Sequence, residues 1–360
     1  MRYITPMPAS SETVTVLGDG AMATVCSILL CQGGHRVTMW GAFEESIERL
    51  IQNRENQRLL PGVRVPESVV LTANDADCFR ESTMVLSAVP TQYLRGVWKR
   101  LAGYVPAHVP IVSVSKGIEN NSLLRPTQVI ADVLGGTTLG NGPKCDWPLA
   151  ALSGPNIAAE LAKYLPATAV AASADLEVAR RVQATFSTQF FRVYTNPDTI
   201  GVEIAGAVKN VIAIAAGILD GLAAGNNIKA ALVTRGLVEI TRLGVALGAR
   251  EETFTGLAGL GDLVTTCVSP QGRNRTVGEQ IGKGRSLQDV LEKMDSVAEG
   301  VPTTKAVVQL ARRLGVEMPI TEAVHAILFD GMDVLYALTD LMTRDPKPER
   351  HSTPWGEKKI

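Results

Sequence analysis

Thr13-Val14-Thr15-Val16-Leu17-Gly18-Asp19-Gly20-Ala21-Met22-Ala23 decides the fold of this chain. Four β-branched residues and a leucine predict a short strand. Thr24 to Gln32 then reads as a helix. A strand, G-x-G-x-x-A and a helix in that order form the dinucleotide fingerprint in its proper context. Gly18 allows the tight turn, and Gly20 lets a pyrophosphate approach the backbone and the helix N-terminus. Ala23 packs helix against strand. Ala21 and Met22 open that helix. The expectation is an α/β fold with an N-terminal Rossmann-type, doubly wound sheet.

Working outward, Arg36 to Trp40 is the second strand. In such folds this strand often ends in an acid that holds the ribose hydroxyls of NAD. Here it ends Trp40-Gly41-Ala42, so no acid there enforces NAD and both NAD and NADP are expected to serve. Glu44 and Glu45 suit the start of the next helix, favoured by its dipole. Arg54 is either a contact for a 2′-phosphate or a solvated helix end. Further strands are read at Met84–Val89, Ile111–Ser115, Leu149–Leu152, Ala167–Ala172 and Phe190–Tyr194, with a helix near Leu176–Phe186. Ligands sit beyond the C-terminal ends of parallel strands, which places Pro90, Thr91 and Lys116 on the ligand side. Pro155 is expected in the first turn of a helix running to about Lys163. Residues 135–148, rich in Gly, Asn, Pro and Thr, read as a surface excursion.

Strand signals stop at Asn196. Helices broken by glycine follow, at about 199–222, 228–248, 275–282, 286–293, 303–314 and 320–329, with a capping box at Ser286-x-x-Asp289. Strand–helix alternation followed by helices alone implies two domains. The expected organisation is a dinucleotide-binding domain over 1–196, an all-helical substrate and catalytic domain over 197–342, and a polar tail over 343–360.

The first of those helices carries GVEIAGAVKNVIAIAAG, Gly201 to Gly217, apolar almost throughout. An all-apolar helix is a buried helix, yet this one holds Glu203 and Lys209-Asn210. Buried lysines are rare unless paired or put to use. Burial lowers the amine pKa toward neutrality, where a lysine can serve as acid and base. The alternative is that Lys209 snorkels out or pairs with Glu203. Three other polar sites interrupt the helical half. Asp262 lies on the glycine-rich bend Gly259-Leu260-Gly261, with Thr265-Thr266 one turn later. Arg273-Asn274 follows Gly272, offering a guanidinium suited to phosphate. Glu299 precedes Gly300 after Val297-Ala298. Each could instead be a cap or a surface charge; a carboxylate beside Lys209 could orient its amine.

Composition narrows the function classes. The 360 residues carry a formal net charge of −1, so bulk charge argues against nucleic-acid or membrane binding. No apolar run reaches the ~20 residues of a membrane span without a charge or turn signal, and the N-terminus lacks the apolar core of a signal peptide. Five scattered cysteines without CxxC spacing point to a reducing, cytoplasmic compartment, with neither a disulfide frame nor a zinc site. No metal is expected.

Gly18-x-Gly20, Ser115-Lys116-Gly117, Ser153-Gly154-Pro155, Val208-Lys209-Asn210, Gly259-Leu260-Gly261-Asp262-Leu263, Arg273-Asn274 and Glu299-Gly300 occur in this order and spacing. Together, over roughly residues 12–335, they resemble NAD(P)-dependent sn-glycerol-3-phosphate dehydrogenase in its soluble bacterial form. The resemblance implies hydride transfer between NAD(P)(H) and the glycerol 3-phosphate/dihydroxyacetone phosphate pair, supplying phospholipid synthesis. It implies that Lys209 is the acid/base at the C2 oxygen, with Lys116 at the same oxygen and Asp262 and Asn210 positioning Lys209. Arg273, Asn274 and nearby Thr266 would hold the substrate phosphate, and Gly154, Asn156 and Gly272 would line the substrate site. Gly18, Gly20, Ala21, Met22, Ala23, Ala42, Arg54, Lys116, Ala158, Arg273, Val297 and Glu299 would meet the cofactor. The expected assembly is a homodimer, with a small-molecule substrate and no nucleic-acid partner. The chain departs from the family at Ala23, where Gly is usual, at Asn156, where Ser or Thr is usual, and at Gly272, where Ser is usual. The rival readings are a related two-domain 3-hydroxy-acid dehydrogenase and a non-catalytic NAD(H)-sensing module.

Overall fold

A computed structural model of the chain describes residues 11–135, 147–294 and 296–346. Most of the glycine-rich excursion and of the polar tail lies outside these. The first half alternates β1 (Thr13–Leu17), α1 (Ala21–Gln32), β2 (Arg36–Trp40), α2 (Glu44–Asn53), β3 (Val70–Thr72), β4 (Met84–Ser87), α3 (Thr91–Leu101), β5 (Ile111–Ser113), α4 (Pro126–Val133), β6 (Leu149–Ser153), α5 (Ala158–Leu161), β7 (Ala167–Ala172), α6 (Leu176–Phe186) and β8 (Phe191–Asn196). One eight-stranded sheet runs β3-β2-β1-β4-β5-β6-β7-β8. Every neighbouring pair is parallel except β6 with β7. From β1 the chain moves outward through β2 and β3, then crosses back to β4. The strand order therefore reverses between β1 and β4, where a doubly wound sheet opens its ligand crevice. The central strands are buried on both faces, α1 packing on one and α3 on the other.

Glycine is obligatory where β1 turns into α1. Gly18 sits at φ +118°, and a Cβ there would lie 3.0 Å from the Ala88 carbonyl at the end of β4. At Gly20 nothing lies within 4 Å of where a Cβ would sit. The first turn of α1 has neither a side-chain cap nor an acid. Free N–H groups therefore face open space, which fits a pyrophosphate.

The second half is helical: α7 (Thr199–Gly221), α8 (Asn226–Ala246), α9 (Glu251–Phe254), a π-helical turn (Leu257–Gly261), α10 (Asp262–Val268), α11 (Arg273–Gly282), α12 (Leu287–Glu292), α13 (Gly300–Leu314), α14 (Pro319–Phe329) and α15 (Val334–Met342). By length and composition α7, even with Glu203 and Lys209 in it, could cross a membrane, but its whole apolar window is buried inside the protein. It forms the axis of the helical core. Asp198 caps it, accepting from Gly201 N at 2.9 Å, and also takes Arg250 N and Thr253 Oγ1. Against α7 lies α11, at a distance only glycines permit. A Cβ on Gly217 would fall 1.9 Å from the Arg275 carbonyl, and one on Gly278 would fall 1.9 Å from the Ile214 carbonyl. This crossing brings the first turn of α11 beside the middle of α7.

One local expectation is corrected, and two features are added. Pro155 does not open a helix: Gly154 at φ +150° and the Asn156 amide, 2.9 Å from the Thr168 carbonyl, keep the chain out of a helix until Ala158. The bend before Asp262 is a π-helical turn running into α10. Gly259 closes on Phe254, where a Cβ would lie 2.0 Å from the carbonyl. The three-residue β3 and the helices α3, α4, α9 and α15 were not read from the sequence.

Candidate active site

Two segments bring lysines to the same carboxylate. Lys209 comes from the middle of α7, and Lys116 from the loop after β5. Asp262, first residue of α10, is 1% exposed. Lys209 Nζ donates to its Oδ1 at 2.5 Å, and Lys116 Nζ donates to its Oδ2 at 2.7 Å. Lys209 also donates to Thr266 Oγ1 at 2.7 Å, and Lys116 to the Gly154 carbonyl at 2.9 Å. Burial pushes the Lys209 ammonium down to about 8, Asp262 holding it up and the Lys116 charge lowering it further. An amine balanced near neutrality can give and take a proton.

The alternative pairing of Lys209 with Glu203 does not occur. Glu203, one and a half turns earlier on α7, is bonded to the Arg125 guanidinium. It also accepts from Thr127 N at 2.8 Å and Thr127 Oγ1 at 2.7 Å. Glu203 thus ties α7 to the start of α4 and leaves Lys209 to Asp262.

A chain of amides joins four segments beside the lysines. Asn210 donates to the Lys116 carbonyl at 3.0 Å and accepts from Asn274 Nδ2 at 2.9 Å. Asn274 Oδ1 in turn accepts from Gly300 N at 2.9 Å. Glu299, just before, accepts from Thr91 N at 2.8 Å and Thr91 Oγ1 at 3.0 Å, so the start of α13 is clamped to the turn after β4. Desolvation pushes the Glu299 carboxyl up against those two donors. Arg273 is exposed, spends one nitrogen on the Val297 carbonyl at 3.0 Å, and has no carboxylate partner among the described residues. Gly272 precedes it as the α11 cap residue. The guanidinium is therefore free to meet an anion beside Asn274.

On the sheet side, Ala21, Met22 and Ala23 form the first turn of α1, and Ala158 opens α5 alongside it. Two further residues expected at the cofactor have partners of their own. Arg54 caps α2 and spends its guanidinium on the Val69 carbonyl at 2.9 Å and on Glu67, so it staples the following loop and is not poised for a phosphate. Ala42 packs beneath the sheet with Trp40, its carbonyl taken by Arg100 at 2.9 Å. Sequence reasoning missed the Thr91–Glu299 clamp and the Arg125–Glu203 pair, because partners about 80 to 200 residues apart leave no local signal.

Comparison with known proteins covers both halves of the chain. The family model described as the NAD-dependent glycerol-3-phosphate dehydrogenase N-terminus matches residues 13–179, and its C-terminal counterpart matches residues 198–339. A protein of Prosthecochloris aestuarii named glycerol-3-phosphate dehydrogenase (NAD(P)+) is 48% identical over 93% of this chain and 99% of its own length. One from Citrifermentans bemidjiense with the same name is 46% identical over 94% and 99%. The crystal structure of glycerol-3-phosphate dehydrogenase from Coxiella burnetii superposes with a TM-score of 0.87 at 35% identity, covering 93% of this chain and 99% of that one.

Proposed function

This chain belongs to the NAD-dependent glycerol-3-phosphate dehydrogenases, and from that premise we propose how its own residues interconvert sn-glycerol 3-phosphate and dihydroxyacetone phosphate. A nicotinamide held at this site would supply or take the hydride at C2. Lys209, as the ammonium, donates a proton to the C2 oxygen during reduction; as the amine, it withdraws that proton during oxidation. Lys116 adds a second positive charge toward the oxygen on which negative charge develops. Asp262 holds both lysines at fixed positions and keeps Lys209 charged in spite of its burial. Asn210 fixes the Lys116 backbone. Arg273 and Asn274 grip the phosphate, whose binding energy positions the carbonyl. Thr266, Gly154, Asn156 and Gly272 would meet the substrate. Gly18, Gly20 and the first turn of α1 would hold the pyrophosphate, with Ala158, Val297 and Glu299 near the rest of the dinucleotide.

The observation that carries this reading is the single buried carboxylate shared by Lys116 and Lys209. Lys209→Ala should lower kcat by at least ~10², the low end for a lost general acid/base, while NADH affinity measured by fluorescence stays within a few-fold. A kcat that survives would make Lys209 structural and overturn the mechanism.

Residues 1–196 would carry the cofactor and 197–342 the substrate, the reaction proceeding between them. We also assign the enzyme to the cytoplasm, making the glycerol backbone for phospholipids; the unpaired cysteines Cys26, Cys31, Cys78 and Cys267 support a reducing compartment. A homodimer is favoured by the exposed Leu335, Tyr336 and Met342 of α15, and sedimentation would read it directly.

A further inference from the structure

The second strand ends without the acid that usually reads the ribose, and the structure shows a physical reason. Gly41 is crowded. A Cβ there would fall 2.7 Å from Ile47 Cδ1 and 3.2 Å from Asp19 Cγ. No side chain, acidic or otherwise, can occupy position 41 without displacing both. Ile47 is the closer obstruction, and beside it stands a carboxylate delivered from the loop after β1.

Asp19 is held there from three sides. Ser46 Oγ, in the first turn of α2, donates to its Oδ2 at 2.6 Å. Its backbone carbonyl accepts from Asn56 Nδ2 at 2.8 Å. Gly18 and Gly20 flank it, fixing the loop that faces the pyrophosphate. Asp19 is part-exposed, and no donor is recorded on its Oδ1 among the described residues. Two guanidinium groups near this region are already engaged. Arg54 bonds the Val69 carbonyl and Glu67. Arg100 bonds Asp75 at 2.7 Å and the Ala42 carbonyl, and lies over the Trp40 ring.

We propose that Asp19 takes the place of the missing strand-end acid and sets cofactor choice in favour of NADH, its free Oδ1 accepting from the ribose 2′-hydroxyl and its charge repelling a 2′-phosphate. The inference rests on the dinucleotide reading of the β1–α1 loop. It replaces the expectation that nothing there discriminates.

The test is titration of the purified protein with NADH and with NADPH, followed by nicotinamide fluorescence, alongside kcat/KM for each. The parent should bind NADH more tightly. Asp19→Asn keeps the size of the side chain and its bond to Ser46 but removes the charge. For a phosphate charge about 4 Å away, removing that repulsion should improve NADPH binding relative to NADH by about 5-fold under water-like screening and by several hundredfold at an effective dielectric of about 20. Ser46→Ala, which leaves the carboxylate in place, should retain the NADH preference. Asp19→Ser reads the same ratio should the Asn variant melt early. The proposal is overturned by a ratio that moves less than twofold in Asp19→Asn, by a parent that binds NADPH as tightly as NADH, or by Ser46→Ala shifting the ratio as far as Asp19→Asn. A parent that binds neither dinucleotide would remove the cofactor loop itself, a distinct failure that takes this inference with it.

Discussion

Asp262→Asn removes one charge from between two ammonium groups and leaves the shape of the side chain. In the parent, Asp262 accepts from Lys209 at 2.5 Å and from Lys116 at 2.7 Å. Its attraction is what keeps the buried Lys209 as high as about 8, against desolvation and the Lys116 charge. A hydrogen bond to a charged group is worth about 1.5–3 kcal/mol, and one pH unit corresponds to about 1.4 kcal/mol. Losing the carboxylate should therefore move the Lys209 titration about one to two pH units lower. The sign follows from the chemistry: without the anion, the ammonium is the disfavoured form. Reduction of dihydroxyacetone phosphate requires that ammonium. Its kcat in the parent should fall as pH rises through about 8, and in Asp262→Asn the fall should begin near pH 6 to 7, as worked from those magnitudes. Oxidation of glycerol 3-phosphate uses the amine, so its rising limb should shift the same way. The assay is the pH dependence of kcat in both directions at saturating cofactor, from pH 5.5 upward. A uniform loss of rate with both limbs unmoved would mean that Asp262 does not govern Lys209, and the shared-carboxylate mechanism would have to be given up.

Other expectations follow from the same geometry. Arg273→Ala should lose roughly ten- to a few-hundredfold in kcat/KM for dihydroxyacetone phosphate, the worth of a charge-assisted bond or slightly more, while unphosphorylated dihydroxyacetone is hardly affected; equal losses on both substrates would take Arg273 off the phosphate. Gly20→Val should abolish NADH binding with the fold intact by circular dichroism, since the added side chain meets open space in the protein and obstructs only a ligand. Gly278→Ala places a methyl 1.9 Å from the Ile214 carbonyl. It should lower stability in urea by about 1–3 kcal/mol or more and weaken catalysis by moving Asn274 away from Asn210; unchanged stability would mean the α7–α11 crossing is looser than described.

The family resemblance and most of the strand–helix order were legible in the sequence because they rest on short-range physics. A β-branched run, two glycines and a helix declare themselves within twenty residues, as Thr13 to Gln32 does. An all-apolar stretch around Lys209-Asn210 announces burial wherever it packs. The partner of Lys209 was legible only as a candidate. Glu203 lies six residues away on the same helix, and nothing local says that Arg125 and Thr127 will take it. That choice belongs to the packing of α4 against α7. Likewise Gly217 and Gly278 look like weak helix formers one at a time. Only the crossing of their helices shows that each leaves room for the other's backbone. Position 41 makes the point most sharply. The sequence determined that no acid ends β2, from which an unselective ribose site followed. Only the tertiary structure decided that α2 folds back to set Ser46 and Ile47 against Gly41 and Asp19. A carboxylate from another loop then stands where the strand could not carry one, and that proximity arises from packing between segments some twenty residues apart.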